Sequence, residues 1–132
     1  MNSLHAPGLL VGRILLALIF IVSGFGKIMG YSGTAAYMTS MGMPMAEVLL
    51  VPTIAIELGG GLLLAIGYKA RWAALALFLF LIPATLIFHA FWAAAPDKAM
   101  MQAINFQKNL AIMGGMLYVV FCGPGRLSVD GA

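Results

Sequence analysis

A series of long apolar runs limits what this chain can fold into: Leu9 to Phe25, Val48 to Ile66, Trp72 to Ala94, and a weaker run from about Phe106 to Cys122. A helix needs roughly 20 residues to cross the hydrocarbon core of a bilayer, and each run comes close once its flanks are counted. With 63% hydrophobic and only 8% charged residues, the chain lacks the polar surface that a water-soluble globule requires. The sequence therefore predicts an all-α integral membrane protein, a four-helix bundle in one domain over residues 1–132. Its multi-pass spans are placed at approximately 9–27, 46–66, 72–94 and 105–122.

The N-terminus shows no basic region and no small-residue cleavage site, and Arg13 interrupts the first run, so the first helix is expected to be retained. Cys122 is the only cysteine, which excludes an intrachain disulfide and a self-contained CxxC redox pair. The net charge of +3 is spread over helix ends without a basic cluster, so nucleic acid is not an expected partner. The basic turn "GYKAR", Gly67 to Arg71, is expected in the cytoplasm, which puts both termini there as well. The loop "SGTAAYMTSMGMP" predicts a short interfacial helix over about Gly33 to Met41, stopped by Gly42 and Pro44 and lying on the outer surface.

Ionisable residues inside spanning helices cost ~2.5 to 3.5 kcal/mol each on insertion scales and usually face the protein interior. Here Arg13, Glu57, His89 and Lys108 fall one to each predicted helix, with Lys27 at the outer end of the first. Successive residues turn about 100° around a helix, so Arg13 and Lys27 lie within about 40° of each other, on a stripe with Ala17, Phe20 and Gly24. Ser23 can join that face. Asn105, Lys108 and Asn109 share a face of the last helix, and Glu57 shares one with Gly60 and Gly61. Turned inward, these faces make a polar pocket, open toward the outer side and lined by Lys27, Glu57, His89, Asn105, Lys108 and Asn109. Lys27, Lys108 or Arg13 is the expected partner of Glu57, and His89 is suited to holding or passing a proton near neutral pH.

Plainer roles compete with this reading. Lys27 and Lys108 sit near helix ends, where lysines commonly reach for the interface. His89 alone beside Trp92 reads as an interfacial histidine, whereas a carboxylate in mid-helix such as Glu57 has no such escape. "GFGK" lacks the spacing of a phosphate-binding loop. Met38, Met41, Met43 and Met45 offer thioethers to Cu(I), but with no Cys or His in that loop an apolar surface against lipid is the simpler account. No protein metal site is predicted.

The segments "RILLALIFIVSGFGKIMGY", "ELGGGLLLAIGYKARWAALAL", "IFHAFW" and "KNLAIMGGMLYVVFCGPGRLSVD" resemble, in that order, the DoxX family of small bacterial four-helix membrane proteins. The resemblance implies a bacterial inner-membrane location and places the family's polar positions on Arg13, Lys27, Glu57, His89, Lys108 and Asn109. It also implies a membrane component of a redox or oxidative-stress system that takes a quinone or similar molecule. On that reading Glu57 and His89 are the catalytic proton carriers, and Arg13, Ser23, Lys27, Asn105, Lys108 and Asn109 bind the ligand. A redox partner protein would supply the electrons, since this chain carries no redox motif of its own. Membrane lipid and further copies of the chain are the other expected partners. Two other classes stay open: a small transporter for an anion or proton, and a non-enzymatic scaffold whose buried charges only fix helix register.

Overall fold

The computed structural model describes residues 3–131, and every regular element among them is helical. Helix α1 is His5–Met29 and α2 is Tyr31–Ser40; α3 runs over Ala46–Ile66, α4 is Ala70–Phe88 and α5 is Pro96–Cys122. A single 3-10 turn, Phe91–Ala93, links the last two. The expected loop helix is present as α2, two residues earlier than the sequence placed its start.

Local chemistry sets these boundaries. Gly42 and Gly67 adopt positive φ (87° and 75°), the left-handed geometry that closes a helix and that glycine takes without a Cβ penalty. At Gly67 there is a second reason, since an added Cβ would lie 2.3 Å from Ser128 Cβ. Helix α5 begins at Pro96, nine residues before the expected 105. Proline is pre-set for the first helical position, and Asp97 in the first turn suits the positive end of the helix dipole. The sequence reading stopped at the polarity of this stretch, but polar residues do not oppose a helix.

Helix α3 is not regular throughout. Pro52 removes one backbone donor, and the turn Ala55–Gly59 is π-helical, with Glu57 inside it. The first half of the helix, Ala46–Ile54, has no Cα within 8 Å of one on α4, whereas the second half packs along it. The two helices thus form a V that opens away from the Gly67 hairpin.

Small residues set the close approaches. A Cβ on Gly24 of α1 would stand 2.9 Å from the backbone nitrogen of Leu58, and one on Gly61 would stand 3.2 Å from that of Ile21, so α1 and α3 are nearly in backbone contact. Gly60 receives Leu77 of α4, and Gly115 of α5 receives Leu16 of α1. Ala17, Phe20, Leu64, Ala74, Leu77, Leu81 and Met116 form the main core. A second cluster of Ala35, Met38, Ala46 and Leu50, with Phe88 against it, seats α2 across the open ends of α3 and α4.

Large apolar side chains stand on the outside, among them Leu15 (65% exposed), Val22 (62%) and Trp72 (72%), an arrangement suited to lipid rather than water. Three segments are long and apolar enough to cross a membrane: His5–Met29, Ala46–Ile66 and Ala70–Ala93. The fourth expected span, now α5, has the length at 27 residues but not the apolarity, because Asp97, Lys98, Gln102, Asn105, Gln107, Lys108 and Asn109 crowd its first half. Three of the four expected crossings are thus supported by length and composition.

Candidate functional site

Ser23 and Lys27 lie one turn apart on α1, with the buried Gly24 between them. Because Gly24 has no side chain, α3 comes close enough at Leu58 for the neighbouring Glu57 to reach both residues. Lys27 Nζ donates to Ser23 Oγ at 2.7 Å, and Ser23 Oγ donates to Glu57 Oε2 at 3.2 Å. Lys27 Nζ also stands 2.7 Å from Glu57 Oε1 as an ion pair. That approach is off the line of a hydrogen bond, so buried Oε1 has no hydrogen-bond donor of its own. Glu57 is 6% exposed, and at that depth its charge is met by the Lys27 ammonium.

This triad forms part of the wall of a cavity of about 500 Å³ enclosed by all the long helices and α2. Most of the wall is apolar, with Phe20, Ile56, Phe80, Leu81, Ile87 and Ile112 among its residues. Its polar members are Ser23, Lys27, Thr34, Thr53, Glu57, His89 and Asn109, together with the Tyr37 ring. A mostly apolar space with a few convergent polar groups is the usual form of a small-molecule site. Contrary to expectation, the pocket is not simply open at the end where α2 lies. Tyr37 stacks on Phe88 at 5.8 Å, and Met38 is buried beneath α2.

The predicted site residues separate into two groups. His89 lines the cavity, with Nδ1 2.8 Å from Gln102 Oε1. An amide oxygen only accepts, so Nδ1 holds the proton and Nε2 is left to bind or pass one. Asn109 also lines the cavity and donates to Thr85 Oγ1 at 3.0 Å. Asn105 is half-buried on α5 outside the cavity wall. Lys108 is exposed and makes no hydrogen bond or ion pair among the described residues, so neither completes the pocket. Of the methionines proposed for copper, Met38 is buried, Met43 faces the cavity, and Met41 and Met45 are exposed, an arrangement that sends the sulfurs to different surroundings.

Arg13 is at the opposite end. Its guanidinium donates to Pro124 O at 2.6 Å, to Leu127 O at 2.9 Å, and twice to Ala65 O at 3.2 and 3.4 Å. It joins α1, the end of α3 and the tail, and takes no part in the cavity. The same end holds residues that the sequence reading passed over. Arg71 donates to Val120 O and Phe121 O at the end of α5, and Asp130 accepts from the backbone N–H groups of Lys69 and Ala70 at 2.8 and 2.9 Å. The Ala70 bond first, and then the Lys69 bond, hold the Asp130 carboxyl below its ordinary value. Nothing in "GPGRLSVDGA" marks Asp130 as a helix cap 60 residues away from Ala70. Gln102 and Thr85, which hold His89 and Asn109, were missed because each reads as an ordinary polar residue until the helices are paired.

A family model described as DoxX matches residues 8–90, which include Lys27, Glu57 and His89. The chain is 41% identical to the inner membrane protein YqjF of Escherichia coli K12, over 98% of this chain and 95% of that protein. It is 35% identical to the inner membrane protein YphA of the same organism, over 92% of this chain and 87% of that one. The Surfeit locus protein 4 homolog of Schizosaccharomyces pombe is 30% identical over 92% of this chain, which corresponds to 36% of that longer protein. No solved structure gives a significant match.

Proposed function

This chain belongs to the DoxX family of integral membrane proteins, and from that premise we propose that it is an inner-membrane component of a redox or oxidative-stress system that binds a quinone or similar polar-headed molecule. The observation that carries this reading is the ion pair of half-buried Lys27 with buried Glu57 on the wall of a largely apolar 500 Å³ cavity. The ammonium suits a quinone carbonyl, the carboxylate beside it suits a hydroxyl of the reduced quinol, and the apolar wall suits the ring and chain of either. A quinone supplies two-electron chemistry, and a partner protein supplies the electrons. The residues of this chain bind and orient: Lys27 donates to an oxygen of the head, Glu57 accepts from it, and His89 Nε2 holds or releases a proton at the cavity wall.

All four long helices cross the membrane in this reading, α5 included. Its start lies beside the end of α4, where Phe106 meets Phe91 and Trp92 edge to face, and its far end is held near Arg71 and Arg13 at the hairpin. It therefore runs the length of α4. Closure of the hairpin end by Arg13 favours a binding site over a permeation path. Both termini are then cytoplasmic, on the side of the basic hairpin.

The protein, purified in mild detergent and extracted, is expected to yield about one quinone per chain. Absence of quinone, together with no uptake when quinone is added back, refutes the reading.

A further inference from the structure

The V between α3 and α4 leaves a break in the wall around the cavity. Between Ala46–Ile54 and α4 no Cα pair comes within 8 Å, although the helices touch nearer the hairpin. The facing edges are Leu49, Pro52 and Ile56 on one side and Pro83, Ala84 and Ile87 on the other, and all of them line the cavity. Leu49, Pro52 and Pro83 are exposed, so the rest of the chain leaves these edges of the gap uncovered. Each edge carries a helix-interior proline, which cannot complete the backbone ladder there. At the head of this gap, α2 covers the axial route, with Met38 buried and Tyr37 stacked on Phe88.

We propose that the ligand enters sideways from the bilayer through the α3/α4 gap and is an uncharged, chain-bearing amphiphile whose head both donates and accepts hydrogen bonds. The charge at the site is already compensated, since Lys27 neutralises Glu57 at 2.7 Å, and a charged head would add an unpaired charge to a mostly apolar cavity. What the pair leaves over is the third ammonium N–H and a further lone pair on Oε1, which together match a hydroxyl, able to accept from the one and donate to the other. The tail then lies in the gap between Pro52 and Pro83. This inference rests on the proposed binding reading, to which it adds the route and the charge of the ligand.

The test uses the full chain in phosphatidylcholine vesicles with three diazirine probes of equal tail length: a monoacylglycerol, a fatty acid and an alkylamine. The monoacylglycerol is expected to label peptides bearing Thr53 or Ile87 about tenfold more than either charged probe does. Ala84→Trp, which fills the gap, is expected to reduce that labelling about tenfold, while Val22→Trp on the exposed face of α1, away from the cavity, changes it less than twofold. Thermal unfolding of both variants checks that they are folded. Equal labelling by the charged probes overturns the head assignment. Loss with Lys27→Met but not with Ala84→Trp overturns the sideways route while leaving the binding reading intact. If no probe labels the cavity in the native protein, both fall.

Discussion

The two ends of this molecule treat buried charge in opposite ways. At the hairpin end, Arg13 is 3% exposed and spends its guanidinium on three carbonyls, while Asp130 caps the start of α4 with both oxygens. At the other end, Glu57 is nearly as buried, but it has a hydrogen-bond donor for only one oxygen and borders a cavity. A charge with every donor or acceptor engaged acts as a fastener, because nothing on it is left for a ligand. A charge pair that borders a cavity still has lone pairs and N–H groups that a ligand could meet in the proposed reading. Depth in the membrane alone does not separate these roles.

This contrast is broken most severely by removing the fastener. Arg13→Met leaves the carbonyls of Ala65, Pro124 and Leu127 without donors and is expected to destabilise the protein by about 3 kcal/mol, read as a lower unfolding temperature in detergent. Quinone bound per folded chain should stay unchanged; if it drops to zero, the separation of the two ends is wrong. Next in size is Gly24→Ala. Its Cβ would sit 2.9 Å from the Leu58 nitrogen, so α1 and α3 must part, at a cost of about 2 kcal/mol and with weakened ligand binding. Native stability together with native binding would show that the close approach is unimportant.

Glu57→Gln sharpens the comparison from the other side. It keeps an oxygen for Ser23 but removes the charge facing Lys27, so stability should change by only about 1 kcal/mol while ligand affinity falls about tenfold. An equal loss of stability and no loss of binding would make Glu57 a fastener as well. The smallest effect is expected from acid. The carboxyl of Asp130 is held low in the folded protein, so its contribution is present above the ordinary carboxylate range and is lost as pH falls through the lowered folded value. The protection factors of the Lys69 and Ala70 amides, which correct for slower intrinsic exchange at low pH, should therefore fall in acid while those along α1 do not; a uniform fall would mean that the tail is not held separately.

Much of the frame was legible in residue order. Apolar runs and their turn residues located α1, α3 and α4, because burial in lipid requires long uninterrupted apolar helices and glycine ends them. The helical period put Arg13, Ala17, Phe20 and Gly24 on one buried stripe, as found. Glu57 stood out because a mid-helix carboxylate always needs an explanation. The apolar run marked only the span from about 105 to 122, and the helix extends beyond it to Pro96 because polar residues do not oppose helical geometry. The pairing of Lys27 with Glu57 rather than with Lys108 or Arg13 was also not legible, because spacing along one helix says nothing about the rotation of its neighbour.

The sequence by itself determined that the chain is helical, suited to a membrane, and carries more interior charge than lipid contact explains. Those properties follow from hydropathy and period, which are local. The tertiary structure decided which charges became fasteners and which came to border the cavity. Gly24 lets α1 approach Leu58, the π-helical turn carries Glu57, and the tail returns to Arg13, all contacts between residues 34 or more positions apart that only packing can bring together.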